Sequence, residues 1–237
     1  MRNVWLIARR ELASYFTSPI AYAVTAVFLV VVGFFFAVIL YYTQEATLRY
    51  LFGNITIILL LVSPALTMRL LAEEHKSGTI ELLLTSPVRD GEVIAGKYLA
   101  ALVLWALMLT LTLGYPLLLR LYGNPDLGPI ATGYLGLLLA GAAVLALGVL
   151  ASTITANQVT AALVAFGFSL LLWLADALQG VLGGTAGEFF GYLSMSGHFD
   201  DFTKGIIDTS HVVFFVSLIA AALFVATRLL EARRWRP

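Results

Sequence analysis

Cysteine is absent from the 237-residue chain. The protein therefore has no disulfide, no thiolate metal site and no cysteine nucleophile, although this absence says nothing about its compartment. Charged residues are also scarce, since they make up 12% of the chain, whereas an ordinary soluble domain contains about 25%. With 60% hydrophobic residues and a mean hydropathy of +0.93, the composition indicates an integral membrane protein.

Several catalytic and nucleotide-binding motifs are missing as well. The "GKY" at 96–98 lacks the upstream glycine spacing and the Ser/Thr of a phosphate-binding loop, so the chain does not bind ATP in that way. The H-E-x-x-H and G-x-S-x-G patterns are absent too. The formal net charge is zero and no face is rich in Lys or Arg, which argues against a nucleic-acid partner. We expect a protein that is not an enzyme by itself and that needs no cofactor.

Charge-free runs define the membrane spans. The longest runs from Leu127 to Ala175, and as one helix it would be roughly 73 Å long, against a hydrocarbon core of about 30 Å. It must therefore be two spans, divided at the polar "STITANQ" (152–158). A charge-free run from Leu12 to Gln44 exceeds the 7–15 apolar residues of a signal peptide, so we expect a retained anchor. The sequence predicts six spans, at about 20–42, 50–68, 98–119, 128–151, 158–175 and 211–228.

The basic residues predict the orientation of these spans. Six spans place both termini on one side, which carries eleven Lys and Arg residues, whereas the opposite side carries Arg49, Arg120 and Lys204 only. Because loops rich in Lys and Arg stay in the cytoplasm, both termini are predicted to be cytoplasmic in a multi-pass protein of the plasma (inner) membrane. The eleven are Arg2, Arg9, Arg10, Arg69, Lys76, Arg89, Lys97, Arg228, Arg233, Arg234 and Arg236.

Two segments outside the spans have patterns of their own. Residues 2–16 repeat apolar side chains every three or four positions and end at "TSP" (17–19), which predicts an amphipathic helix on the cytoplasmic leaflet. Residues 176–210 are glycine-rich and largely apolar, so we expect short re-entrant helices on the outer side, followed by a solvated acidic strip. Small-xxx-small spacings at Gly180/Gly184 and Gly187/Gly191 are a weak signal of close helix packing.

The acidic strip also contains residue types that bind divalent ions. Imidazole and carboxylate groups suit several such metals, so a metal cluster on the outer side is conceivable. Acidic loops of this kind are ordinarily just solvated, and we favour that interpretation. The residues concerned are His198, Asp200, Asp201, Asp208 and His211.

The most unusual stretch is "AEEHKSGTIELLLTSP" at 72–87, a polar island between spans two and three. Helix signals on both sides of Ser77 and Gly78 predict two short helices, and Pro87 ends the second. Glu73, Glu74, His75 and Lys76 are predicted to form an exposed face. Since a passive connection needs only 2 to 8 residues, a partner protein explains the island better than a simple linker does.

These residues carry a resemblance. "RLLAEEHKSGTIELLLTSPV", followed by "GKYLA", resembles the cytoplasmic segment of permeases of the type-2 ATP-binding cassette (ABC) exporters, where an E-E-[+]-x-G-T-x-E-x-L-L-x-[ST]-P run precedes a G-K at the third span. The chain is most similar to the branch of gliding-motility and nitrous-oxide-reductase-maturation permeases, which "SGHFDDFTKGIIDTSHVVFF" also resembles. The resemblance covers essentially the whole chain, and it implies one transmembrane permease domain over residues 1–237.

The resemblance further implies partners and a site. Such a permease pairs with a second permease, identical or different, and with two separate ATP-binding subunits. The segment between spans two and three would be the coupling helix seated in the ATPase, and His75 stands where a basic residue is common, which makes its docking charge pH-dependent. The matching positions are Glu73, Glu74, His75, Lys76, Ser77, Gly78, Thr79, Glu81, Ser86 and Pro87.

The sequence leaves two alternatives to this function. A membrane anchor or regulatory module would use the island to recruit a cytoplasmic partner without coupled transport. An ion-coupled carrier is disfavoured, because the interiors of the predicted spans carry no ionisable residue of the kind that relays protons or binds ions. The sequence therefore favours the permease of an ATP-driven exporter, and it leaves the substrate open.

Overall fold

The structure is a computed structural model that describes residues 2–79 and 88–234, with the side chains of residues 233 and 234 excluded. Within these residues the regular secondary structure is entirely helical. In chain order the helices are α1 (Arg2–Thr17), α2 (Pro19–Thr43), α3 (Arg49–Thr67), α4 (Ala72–Ser77), α5 (Asp90–Leu111), α6 (Gly114–Tyr122), α7 (Leu127–Ile154), α8 (Gln158–Leu182), α9 (Gly184–Leu193), α10 (Met195–Thr203) and α11 (Thr209–Arg234).

Six segments are long and apolar enough to cross a membrane, which confirms the predicted six-span, all-α class. They are Pro19–Thr43, Arg49–Ser77, Asp90–Tyr122, Leu127–Ile154, Gln158–Leu182 and Thr209–Ala232. The third begins at residue 90 instead of 98, because Glu92 accepts a hydrogen bond from the Arg89 backbone N–H at 3.2 Å and so starts the helix early. The fifth continues to Leu182 instead of stopping at 175, which places Asp176 inside α8. Charges thus mark the edge of the apolar run but not the end of the helix.

Helix α7 is the centre of the bundle. It is buried along most of its length, and it packs against α3, α5, α8, α10 and α11. Its glycines permit this crowding: a Cβ at Gly133, Gly141 or Gly148 would collide with Phe52, Trp105 or Thr67 respectively. Close approach at small residues is the usual way in which membrane helices pack. The long glycine-rich run is therefore the core of the fold.

The third span is interrupted near its far end. Residues 112 and 113 form a turn between α5 and α6, close to Gly114 and Pro116, where the sequence predicts a kink because proline removes a helical hydrogen bond. The carbonyl of Thr112, four residues before Pro116, accepts hydrogen bonds from the Tyr115 backbone N–H at 3.0 Å and from the Tyr134 hydroxyl at 2.9 Å. A side chain of α7 thus adds a second donor to the carbonyl that Pro116, which has no N–H, cannot bond.

The bundle has two distinct ends. At the first, called the α1 end, α1 packs on the start of α5, and Gly91 of α5 lies beside Thr227 of α11. At the second, called the α10 end, Arg49 at the start of α3 pairs with Asp200 of α10 at 3.7 Å. Helix α3 has 19 residues, so the two ends lie about 28 Å apart.

Candidate functional site

The polar island begins with α4, a six-residue helix at the α1 end. Glu73 and Glu74 occupy its first turn, whereas His75 and Lys76 occupy its last, so the side-chain charges complement the helix dipole. Gly78 ends the helix with a φ of 71°, a left-handed conformation that glycine adopts without steric cost. The first of the two predicted short helices is therefore present, and the second falls outside the described residues.

The residues predicted for the coupling site divide into three groups. Glu73, Lys76, Ser77, Gly78 and Thr79 are exposed, as expected for a docking surface. Glu74 and His75 are only partly exposed, and the side chain of Glu74 points back into the protein. The expectation that Glu73, Glu74, His75 and Lys76 form an exposed face is thus wrong for Glu74, because a buried lysine attracts its carboxylate, and it holds only in part for His75. Glu81, Ser86 and Pro87 lie outside the described residues.

That lysine is Lys97, whose side chain is 1% exposed. Its Nζ lies 2.9 Å from Glu11 Oε1 of α1 and 2.9 Å from Glu74 Oε1 of α4. The Arg10 guanidinium lies 3.2 Å from the same Glu11 oxygen and 3.4 Å from the same Glu74 oxygen. These four side chains, the Lys97 cluster, contain two positive and two negative charges. A buried cation needs such partners to offset its desolvation, so the cluster connects α1, α4 and α5 through one ammonium group.

Gly96 brings α1 close enough for this contact. A Cβ at Gly96 would lie 2.8 Å from Ile7 and 3.0 Å from the Val4 carbonyl oxygen, so only a glycine allows α1 to rest on the α5 backbone. A second polar contact fixes the beginning of α1, because Asn3 Nδ2 donates to Glu92 Oε2 at 3.1 Å. The "GK" that follows the island therefore provides a packing surface for α1 and an ion pair with it.

The far end of α1 is held by α3. The Tyr15 hydroxyl is buried and donates to the Leu66 carbonyl at 2.6 Å. The Arg69 guanidinium lies over the Tyr15 ring at 5.0 Å and also donates to Ser18 Oγ at 2.9 Å. Helix α1 is thus attached at its start, middle and end, and its contacts reach both helices that flank the island.

The connection between α7 and α8 also lies at the α1 end and contacts the island. Ser152 Oγ, at the end of α7, accepts hydrogen bonds from the Leu71 and Ala72 backbone N–H groups at 3.0 Å each. The same hydroxyl donates to the Met68 carbonyl at 3.2 Å. The start of α4 cannot satisfy these N–H groups within its own helix, so Ser152 acts as a cap supplied by another helix. The family resemblance implies that 152–158 lies near the island's partner, and the structure brings Ser152 into direct contact with the island.

The α10 end carries a polar cavity of about 750 Å³ between α3, α8 and α10. Asn54, Trp173 and Asp176 line it together with Arg49 and Asp200.

Within the described residues, no group of three or more His, Asp or Glu side chains is placed to hold a metal ion, and the conceivable metal cluster of the acidic strip gains no support. Gly187 and Gly191 pack against Gln179, whereas Gly180 and Gly184 have open space around them.

Sequence patterns alone do not reveal the contacts of this site. They place Lys97 in a motif and 152–158 near the island's partner, but they do not pair Lys97 with Glu74, do not single out Glu11 and do not predict that Ser152 contacts the island itself. A lone lysine beside a glycine at the start of an apolar span was the available signal for Lys97. The 86 residues between Glu11 and Lys97 left no local pattern for the pairing.

Comparison with known proteins now identifies the family. No curated protein matched the chain. The model of the family described as "ABC-2 family transporter protein" matches residues 17–186, a range that includes the first five spans, the island and the Lys97 side of the cluster. The match covers well over half of the chain, and the six spans agree with a membrane permease. The protein therefore belongs to the ABC-2 family transporter proteins.

Proposed function

We propose that the chain is the permease subunit of an ATP-driven exporter, coupled to separate ATP-binding subunits through residues 72–87. Membership of the ABC-2 family supports a permease role and an ATP-binding cassette partner. ATP hydrolysis then occurs in the partner subunits, and the whole chain, residues 1–237, acts as one transmembrane domain. The protein needs no cofactor in this role.

The main support for this proposal is that one face of α4 is exposed whereas the other is bonded to the bundle. Glu73, Lys76, Ser77 and Thr79 project away from the bundle, whereas the opposite face is fixed by Ser152 and Lys97. A short helix with a free charged surface and a rigidly held base transfers force from a docked protein to the spans behind it. Charged groups on the free surface favour a complementary partner. His75, Gly78, Glu81, Ser86 and Pro87 complete the proposed coupling site.

The proposed coupling determines the orientation. ATP-binding subunits work in the cytoplasm, so the α1 end and both termini face the cytoplasm, in agreement with the distribution of Lys and Arg. We place the protein in the plasma (inner) membrane. Trp5, Leu6 and Phe16 of α1 are exposed apolar side chains, which supports a helix lying in the cytoplasmic interface. Exposed Val181, Leu182, Phe189 and Tyr192 support α9 dipping into the outer leaflet.

The finer parts of the proposal rest on the sequence resemblance. They are the export direction, pairing with a second permease of the same or another type, and a place in the gliding-motility and nitrous-oxide-reductase-maturation branch. The polar cavity at the α10 end, opposite the coupling helix, supports release on the outer side.

Co-purification tests the coupling site. The tagged chain is isolated from native membranes as the wild type, as Glu73→Lys and as the matched control Glu45→Lys, which reverses an exposed charge in the loop after α2, at the other end of the bundle. We expect an ATPase subunit, with ATP hydrolysis, to arrive with the wild type and with Glu45→Lys. Glu73→Lys should lose the subunit or reduce its activity.

Two outcomes contradict the proposal. If no ATPase arrives with any variant, the chain is not coupled to one. If the ATPase arrives but its turnover is the same in Glu73→Lys and Glu45→Lys, the island only recruits or does not contact it, which agrees with the membrane-anchor alternative.

A further inference from the structure

Two histidines form a continuous chain of polar contacts at the α10 end. His198 Nε2 lies 3.2 Å from the Tyr192 carbonyl oxygen, and His198 Nδ1 lies 2.7 Å from His211 Nδ1. His211 Nε2 lies 2.9 Å from Asp201 Oδ2. These contacts connect the last turn of α9 with α10 and with the first turn of α11. They are separate from the coupling site, which lies at the opposite end of α3.

The two groups at the ends of this series of contacts, the Tyr192 carbonyl and the Asp201 carboxylate, both accept hydrogen bonds. The Tyr192 carbonyl has no proton to give. Asp201 is a carboxylate, because its hydrogen bonds with Lys204, at 2.9 Å, and then with His211 lower its pKa. Each imidazole must therefore carry a proton on Nε2 to complete its outer hydrogen bond.

The contact between the two rings then decides the charge of the pair. If both Nε2 atoms are protonated and both rings are neutral, the two Nδ1 atoms are bare acceptors facing each other at 2.7 Å. Two lone pairs repel at that separation, so one further proton must lie between them. Three protons on four nitrogens give the pair a single positive charge. Removing the shared proton breaks one of the three hydrogen bonds. Adding a fourth proton breaks the hydrogen bond between the rings, because both Nδ1 atoms are then donors.

We propose that His198 and His211 are a proton-binding site that takes up one proton and, when occupied, ties α9, α10 and α11 together. The ligand is the proton itself, shared between two Nδ1 atoms. The inference follows from the contacts of the two rings, and it does not depend on the proposed transport function.

The surroundings of the two rings act on their charge in opposite directions. The Phe214 ring stacks on His198 with centroids 4.0 Å apart, and an aromatic face attracts a cation. Burial lowers the pKa of His198, opposed by its hydrogen bond to Tyr192 O. The tie therefore forms on acidification, as the pair takes up its proton. The charged groups around the pair are Asp201, Lys204, Asp200, Asp208, Arg49 and Asp176.

Histidine titration by NMR tests this proposal directly. The chain contains three histidines, His75, His198 and His211, so imidazole ¹⁵N signals of the full chain in detergent are assignable from single His→Gln variants. In the wild type we expect the His198 and His211 signals to move together as the pair takes up one proton, with the second proton entering about two pH units lower or more. In His211→Gln, His198 should titrate alone over one ordinary transition.

His75 is the internal control, because it lies at the other end of α3 and should titrate identically in both proteins. The proposal is overturned if His198 gives the same curve in the wild type and in His211→Gln, or if the two rings titrate independently. Each sample is also measured with a chelator: if the coupled behaviour disappears on chelation, a metal ion and not a proton joins the rings. The protection factors of residues 186–203, which correct for the pH dependence of intrinsic amide exchange, should rise on acidification in the wild type but not in His211→Gln.

Discussion

Replacing Lys97 with methionine is the most direct perturbation of the α1 end. Methionine keeps the length and the apolar stem of lysine but removes the charge, which leaves Glu11 and Glu74 facing each other. Their Oε1 atoms both lie 2.9 Å from Nζ, so they are at most 5.8 Å apart (2.9 + 2.9). Breaking a buried ion pair on one side costs about 3–5 kcal/mol. We expect the lower value, about 3 kcal/mol, because Arg10 still contacts both carboxylates and both retain some exposure to solvent.

The expected consequence is local opening of α1. A loss of about 3 kcal/mol corresponds to a roughly 100-fold larger population of the state in which α1 has left α5. Hydrogen exchange measured by mass spectrometry in detergent should show residues 5–16 exchanging about 100-fold faster in Lys97→Met, while peptides from the buried centre of α7 are unchanged. An exchange rate for α1 within about threefold of the wild type would refute the role given to the Lys97 cluster.

A variant with neutral side chains distinguishes the loss of the ion pairs of Lys97 from the cost of leaving Glu11 and Glu74 without a partner. Lys97→Met combined with Glu11→Gln and Glu74→Gln leaves Arg10 as the one charge of the cluster, and because its side chain is 63% exposed to solvent, the variant should recover most of the protection of α1. If the triple variant is as unprotected as Lys97→Met, the defect comes from packing of the lysine stem and not from the ion pairs.

Three further substitutions test other contacts. Gly96→Ala forces a Cβ against α1 and should lower thermal stability by about 1–3 kcal/mol, whereas Gly91→Ala, whose Cβ meets only ordinary contact distances, serves as its control. Ser152→Ala removes the acceptor of two backbone N–H groups and should lower the free energy of unfolding by about 1–3 kcal/mol, and an unchanged stability would contradict the capping role. If the chain couples to an ATPase as proposed, ATP hydrolysis in the complex should fall as well. Tyr134→Phe withdraws one of the two donors to the Thr112 carbonyl and should destabilise the protein by about 1 kcal/mol, measured by thermal unfolding.

The sequence predicted the fold class well because the membrane makes one requirement dominant. Every backbone polar group in the hydrocarbon region must be bonded internally, so a charge-free run of sufficient length becomes a helix. The division of the 127–175 run into two spans followed from length alone. The early start of α5 at Asp90 was not predictable in this way, because it depends on hydrogen bonding at the helix start and not on hydrophobicity.

The place of the polar island along the chain is predictable from the sequence, but its side-chain contacts are not. The polar island stands out because it is rich in charge within an apolar chain, and its described part lies between the second and third spans at the α1 end. Whether Glu74 points outward or inward depends on Lys97, 23 residues away, and on Glu11 in a helix that folds back from the N terminus. Periodicity along one segment carries no information about such pairings, since they arise only when three helices meet.

The attachments of α4 restrict how a docked partner can act on the bundle. Its start is bonded to α7 through Ser152, and Glu74 is paired with α5 through Lys97. Helix α7 in turn presses Gly148 against Thr67 of α3 and Gly141 against Trp105 of α5, and interiors packed this tightly transmit displacement instead of absorbing it. A push on α4 therefore cannot bend α3 alone, because α3, α5 and α7 share both the contact with α4 and the contacts with each other. If the island couples to an ATPase, these three helices respond to it together, and α1, attached to α3 and α5, moves with them.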